Sequence, residues 1–211
     1  MRIAITAVSI FIIASPALAE TEPAPIDKIE LGSRFTYLDE DKFKPTTRMT
    51  HEEMILEKDS SRIKVRVDTG ASGVSLHILD ARLRIIEAGT SRFSPGNCSG
   101  VPTKIEIGSS STFELSWSTS NGNNAKAEFR AKCISKVTGK ETHHFQGEDL
   151  EVFVISNEAS YKNSNGTAIV FGASGLYAPK LGGFFEKTFI EKMDGTLFRQ
   201  FKSRLIKYTT D

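Results

Sequence analysis

The sequence predicts an all-β fold, an antiparallel open barrel or a two-sheet sandwich, and three observations carry that expectation. Ile63, Val65 and Val67 alternate with Lys64, Arg66 and Asp68, the period-two pattern of a strand with one buried face. Turn residues recur at short intervals, at Asp68-Thr69-Gly70, Ser94-Pro95-Gly96, Asn121-Gly122, Asn165-Gly166 and Asp194-Gly195. Segments so closely punctuated suit hairpins and leave little room for the crossovers a parallel sheet needs. Finally, Ile29-Glu30-Leu31-Gly32-Ser33 recurs as Ile105-Glu106-Ile107-Gly108-Ser109. Phe35-Thr36-Tyr37 follows the first copy and Phe113 to Trp117 the second, which hints at two related β meanders wrapped around one core.

The N-terminus has its own logic. Arg2 supplies a positive start, Ile3 to Ala14 is apolar, Ser15-Pro16 breaks the run, and Ala17-Leu18-Ala19 is the small-x-small pattern of a cleavage site. The apolar run is short of the roughly 20 residues that span a bilayer. Residues 1–19 are therefore expected to be a cleaved signal peptide of an exported, periplasmic protein from a Gram-negative-type bacterium. Glu20 stands where a lipoprotein would carry its cysteine, so no membrane anchor is expected. Residues 20–28, rich in Pro, Glu and Thr, read as a flexible leader, and 29–211 as a single β-rich domain.

Within that domain Thr50–Lys58 and His77–Ala88 read as short helices. Leu150 to Ile155 is a nearly unbroken apolar run, expected to be a strand buried on both faces. Ala88 to Val101 would bridge the two meanders. A strand from Phe184 to Glu191, a turn at Asp194-Gly195 and a strand from Leu197 to Tyr208 complete the chain.

Composition excludes several functions. The formal net charge is +1 over 211 residues, which gives no global pull toward nucleic acid or an anionic membrane. Charge is uneven, however. Residues 20–59 hold eleven acidic and six basic side chains, and residues 180–211 hold seven basic against four acidic. Segments so biased are expected to neighbour one another in the fold. The two cysteines, Cys98 and Cys133, sit in no Cys-x-x-Cys arrangement and near no histidine at ligand spacing. In an oxidising compartment they are expected to form a structural disulfide. His143-His144 invites a metal reading, but neighbours on a strand point to opposite faces, and nothing ties His51 or His77 to the pair. Exposed loop histidines and no metal site are expected. Gly172-Ala173-Ser174-Gly175 lacks a P-loop lysine, no nucleophile elbow appears, and no cofactor is expected.

The region from about Ile105 to Tyr208 resembles exported bacterial β-rich proteins that have no assigned reaction and end in a Tyr-x-Pro-x-Leu-Gly segment. Here that segment is Tyr177-Ala178-Pro179-Lys180-Leu181-Gly182. The stretches Lys132-Cys133-Ile134 to Lys140-Glu141 and Phe145-Gln146-Gly147 are similar to the same proteins' middle region. Glu148-Asp149, before the strand at Leu150, departs from the smaller turn expected there. The resemblance implies a fold and a compartment, and no activity.

A second, local resemblance concerns chemistry. Val67-Asp68-Thr69-Gly70-Ala71-Ser72 resembles the active-site signature of retropepsin-like aspartic peptidases, and Leu76-His77 extends the likeness toward one bacterial branch. It implies catalysis by Asp68, Thr69 and Gly70 in a homodimer, because the reaction needs two carboxylates sharing one proton. Such enzymes also need an apolar-apolar-Gly strand over the catalytic turn. Here only Val170-Phe171-Gly172 offers one, far downstream. Asp-Thr-Gly after an alternating strand is equally an ordinary hairpin turn, and we read it so.

The fourteen phenylalanines remain, with Phe171, Phe184, Phe185, Phe189, Phe198 and Phe201 clustered late in the chain. Core packing explains most, yet an open barrel would let part of that cluster face a ligand cavity. The sequence thus reads as a non-enzymatic periplasmic β domain binding an apolar ligand or an envelope protein, with the homodimeric Asp68 peptidase as the alternative.

Overall fold

The structure, a computed structural model, describes residues 25–70, 73–120, 126–162 and 166–210. The expected signal peptide, the first part of the leader, the Asn121-Gly122 turn and Asn165 lie outside the described residues. Among the described residues twelve strands follow one another in chain order. The first six are β1 (Arg34–Asp41), β2 (Lys44–Lys58), β3 (Arg62–Asp68), β4 (Val74–Asp80), β5 (Ile85–Ala88) and β6 (Ser91–Ser94). The second six are β7 (Ser110–Ser120), β8 (Lys126–Phe145), β9 (Glu148–Lys162), β10 (Ala168–Ala178), β11 (Gly183–Met193) and β12 (Thr196–Thr209). Each pairs antiparallel with its neighbours in sequence, and β12 returns to β1, so the sheet closes into a barrel. Closure leaves no strand at a sheet edge among the described residues. It also lays the acidic N-terminal segment beside the basic C-terminal one, from Arg34↔Thr209 to Asp41↔Phe201.

The sequence echo marks a true repeat of the backbone. Before β1, Gly32 donates to the Ile55 carbonyl (3.0 Å), Ser33 to Glu30 (3.3 Å), and Ile55 to Ser33 (3.0 Å). Before β7, Gly108 donates to Val137 (2.9 Å), Ser109 to Glu106 (2.9 Å), and Val137 to Ser109 (3.0 Å). Both glycines have positive φ, 81° and 86°, which L-residues with a Cβ adopt only at a cost. The pairing register repeats as well: Phe35↔Glu53 and Tyr37↔His51 become Ser111↔Ser135 and Phe113↔Cys133. Each second strand then carries a bulge directly after the equivalent position, between Ile55 and Glu57 and between Val137 and Gly139. The barrel is two six-stranded meanders, β1–β6 and β7–β12.

Five expectations need correction. Thr50–Lys58 lies within β2, and His77–Ala88 is the end of β4, a turn and β5; neither is helical. In β2 the inward His51 and Glu53 hide the usual alternation. In the second case the turn at Ala81–Leu83 puts apolar residues at a helix-like spacing. Pro25–Lys28, expected within the loose leader, forms one helical turn with Pro25 and Ile26 buried. In β9, Glu151 is exposed while Leu150, Val152, Phe153 and Ile155 are buried, so the strand is not covered on both faces. Phe153 is shielded by Lys140, whose ammonium lies 5.4 Å from its ring centre. Lastly, Ala88 and Ser91–Ser94 belong to the first meander, and the bridge between halves runs from Pro95 to Ser109.

The middle of that bridge, from Gly96 to Pro102, lies inside the barrel. Cys133 faces the lumen, is fully buried, and is joined to Cys98 by the disulfide, with the Cα atoms 5.8 Å apart. Val101 donates to the Arg82 carbonyl (2.9 Å), and the Asn157 amide donates to the Gly100 carbonyl (3.0 Å). Val101, Pro102 and Ile105 are buried. At the matching place in the first half, Ile26 and Ile29 enter the same apolar cluster, which includes Phe35, Ile63, Val152, Leu181 and Phe184. These two segments make one end of the barrel a packed floor. The other end, where the β1–β2, β3–β4 and β11–β12 hairpins turn, is a rim.

The outer wall carries charge along its strands. Arg34 pairs with Glu52 (3.1 Å), Lys64 with Glu57 (2.7 Å), Lys140 with Glu151 (2.7 Å) and Lys202 with Glu186 (2.7 Å). Membrane-spanning barrels carry an apolar band on that face instead. No helix among the described residues is long and apolar enough to cross a membrane.

Candidate functional site

A cavity of about 470 Å³ opens toward the rim. Its apolar wall includes Val67 of β3, Ile85 of β5, Phe184 and Phe189 of β11, and Phe201 of β12. Phe189 and Phe201 are register partners with ring centres 5.3 Å apart. Three of the six clustered phenylalanines thus face the cavity. Phe185 is in the core and Phe198 is exposed. Phe171 joins Trp117, Phe129 and Tyr161 in an aromatic group of the second half. Asn97 and Ser99, from the bridging segment, form another side of the cavity. A narrower space of about 90 Å³, bordered by Ile55, Ile63, Val65 and Leu79, shares the residues Glu53, Val67, His77, Phe184 and Lys187 with it and reaches toward the floor.

Between the two spaces lies a network of charge. Strand alternation points Tyr37 and Asp39 of β1, and His51 and Glu53 of β2, inward. β11 brings Lys187 from the far end of the chain. His51 donates from Nδ1 to Asp39 Oδ2 (2.6 Å) and from Nε2 to Glu53 Oε1 (3.4 Å). Lys187 donates to the same Glu53 oxygen (2.9 Å) and lies 4.5 Å over the Tyr37 ring. The Ser203 hydroxyl donates to Asp39 Oδ1 (2.5 Å). Tyr37 stacks on His51 and donates its hydroxyl to the Phe184 carbonyl (2.9 Å), tying β1 to β11.

The protonation states follow from these contacts. Burial alone would lower the His51 pKa, but hydrogen bonds to Asp39 and Glu53 and their charges raise it to about 9, so the ring is a cation at neutral pH. Burial would raise the Glu53 pKa, but Lys187 and His51 hold it well below the usual carboxylate range. Burial, with Glu53 and Asp39 nearby, pushes the Tyr37 pKa up. His77 goes the other way: burial lowers its pKa, Glu53 opposes this, and the Lys187 and His51 charges add to it. It is neutral, with Nε2 3.3 Å from the Ser75 hydroxyl. A network in which each charge has a partner tolerates burial; a half-satisfied one does not.

The residues singled out in the sequence lie elsewhere. Asp68 ends β3 at the rim, where Oδ1 accepts from the Gly70 amide (3.0 Å) and Oδ2 pairs with Arg66 (2.9 Å). The Thr69 hydroxyl donates to the Gly73 carbonyl (3.0 Å), and Thr69 borders the cavity. Val170-Phe171-Gly172 is part of β10, which pairs with β9 and β11, whereas β3 pairs with β2 and β4. His143 and His144 sit on β8, not in a loop, near Glu141 (2.9 Å) and Asp149 (3.2 Å) respectively. The network that sequence reasoning missed had one trace: Asp39, His51 and Glu53 are polar at positions the strand period turns inward.

Neither a family model nor a curated protein sequence matches the chain. Solved structures similar to this chain include the hypothetical lipoprotein YmcC from Escherichia coli K12. That likeness has a TM-score of 0.50 at 13% identity and covers 90% of this chain and 91% of that one. Others are a protein from Bacteroides fragilis described as exported and YmcC-like in fold, and one from Parabacteroides distasonis described as a lipoprotein. The first has a TM-score of 0.46 at 11% identity over 86% and 97% of the two chains. The second has a TM-score of 0.49 at 8% identity over 89% and 97%. The chain has the YmcC-like fold.

Proposed function

We propose that this chain is a non-enzymatic, exported binding protein that holds an apolar or amphipathic small molecule in the rim-side cavity of its barrel. The observation that carries the reading is the cavity itself. About 470 Å³ with Phe184, Phe189 and Phe201 on one wall and polar groups opposite is the size and composition of a small-molecule site. A core that needed only stability would fill such a space, because interiors pack to crystal-like density. The export half of the proposal is supported by the leader pattern of residues 1–19 and by the Cys98–Cys133 disulfide.

The alternative, a homodimeric peptidase acting through Asp68, draws less support. The Asp68 carboxylate is engaged by Arg66 and by its own turn, contacts that favour a turn-forming role. Native mass spectrometry on protein purified from periplasm without detergent tests the proposal. A discrete added mass that is lost on organic extraction is expected. Protein that is only ever ligand-free, together with peptide cleavage abolished by Asp68→Asn, would replace it with the peptidase.

A further inference from the structure

The charge network specifies what kind of head group the cavity accepts. It contains two carboxylates, Asp39 and Glu53, and two cations, His51 and Lys187, joined in one chain in which His51 bridges the carboxylates and Lys187 pairs with Glu53. His51 is largely covered, at 10% exposure, Asp39 and Glu53 are near one quarter, and Lys187 is about one third exposed, at 36%. The neighbouring His77 and Ser203 add hydrogen-bonding capacity without charge. A ligand bearing a net charge would therefore find no unmatched counter-ion at the cavity wall, and would lose its hydration on entering. A hydroxyl or amide head would find both donors and acceptors. We infer that the ligand is an amphiphile with an uncharged polar head, seated against the Glu53–Lys187 pair with its apolar chain along Phe184, Phe189 and Phe201. This inference rests on the binding reading above and gives it a substrate class.

The test is displacement of the neutral dye N-phenylnaphthylamine from the full mature protein at neutral pH by three ligands with one chain: dodecanol, dodecanoate and dodecylammonium. The wild type should prefer dodecanol over either ion by at least about tenfold, because a charge that loses its hydration without gaining a partner costs more than the roughly 1.4 kcal/mol that tenfold represents. Glu53→Gln leaves the two cations in excess over Asp39 and should shift the preference toward dodecanoate. Lys187→Gln leaves the carboxylates in excess and should shift it toward dodecylammonium. The two variants err in opposite directions, so a general loosening of the fold cannot imitate the pattern, and circular dichroism checks that each is folded. A single rank order shared by the wild type and both variants, or a wild-type preference for either ion, overturns the head-group inference while the binding reading stands. Failure of the dye and of all three ligands to bind overturns both.

Discussion

His51 and Cys133 occupy the same place in the two halves of the barrel. His51 is the register partner of Tyr37 across β1 and β2, and Cys133 is the partner of Phe113 across β7 and β8. Two residues on, Glu53 corresponds to Ser135, whose hydroxyl is the buried side-chain atom without a hydrogen-bond partner among the described residues. Two residues beyond Tyr37 and Phe113, Asp39 corresponds to Leu115. The first two strands of one meander thus spend their inward positions on a charge network, completed by Lys187 and Ser203 of β11 and β12, beside a cavity. The other fills them with Leu115, Ala131, Ala159 and a sulfur bridge. In keeping with this asymmetry, the cavity is lined from β1–β5, the bridge and β9–β12, while β7 and β8 carry the filled positions.

The repeated lead-ins make equal and separate predictions. Gly32 and Gly108 have φ of 81° and 86° in the same hydrogen-bonded turn. Gly32→Ala and Gly108→Ala should each destabilise by about 1–2 kcal/mol, and the double variant by close to the sum, since the sites share no partners. Chemical denaturation measures this. An effect at one site alone would deny that the echo is structural.

The disulfide closes a separation of 35 residues. The chain-entropy relation gives about 4 kcal/mol for such a loop. Cys98→Ser with Cys133→Ser should lower the thermal midpoint markedly, and hydrogen exchange should rise first in Pro95–Ser109, whose tether to β8 is gone.

Stability should depend on pH through His51 in a stated direction. Its folded pKa is raised from 6.5 to about 9, so its contribution is complete below pH 6.5 and is lost as the pH rises through about 9. Glu53, held low by Lys187 and His51, contributes above its ordinary value and loses that contribution on acidification. His77, shifted down, favours the folded state when neutral, so its contribution fades as the pH falls below 6.5. The slope between pH 6.5 and about 9 should vanish in His51→Gln and persist in His77→Gln, as read by urea titrations across that range, below the pH at which Tyr37 ionises in the unfolded chain. Equal slopes in both variants would reassign it.

Much of the fold was legible in the residues. The alternation at Ile63–Val67 is β3, and the turn at Asp68-Thr69-Gly70 joins β3 to β4. The Ile29 and Ile105 echoes are true repeats. Closure was not, because β1 and β12 are brought together from opposite ends of the chain and only their opposed charge bias hinted at it. The helices expected at Thr50–Lys58 and His77–Ala88 failed where polar residues and a turn interrupt the pattern: His51, Glu53 and His77 face inward, which erases the strand signature, and the turn at Ala81–Leu83 sets apolar residues at a helix-like spacing. The network escaped for the same reason. Asp39, His51, Glu53 and Lys187 come from three strands, and no local motif records their meeting.

The central claim, that the rim-side cavity is a binding site, is tested most directly by titrating N-phenylnaphthylamine against the wild type and Phe201→Asp. A charge beside Phe189 in an apolar wall should weaken an apolar ligand at least about tenfold. The expected result is a saturable, one-to-one fluorescence rise for the wild type that Phe201→Asp abolishes and the rim substitution Asp68→Asn leaves intact. No saturable signal, or one indifferent to Phe201→Asp, would contradict it.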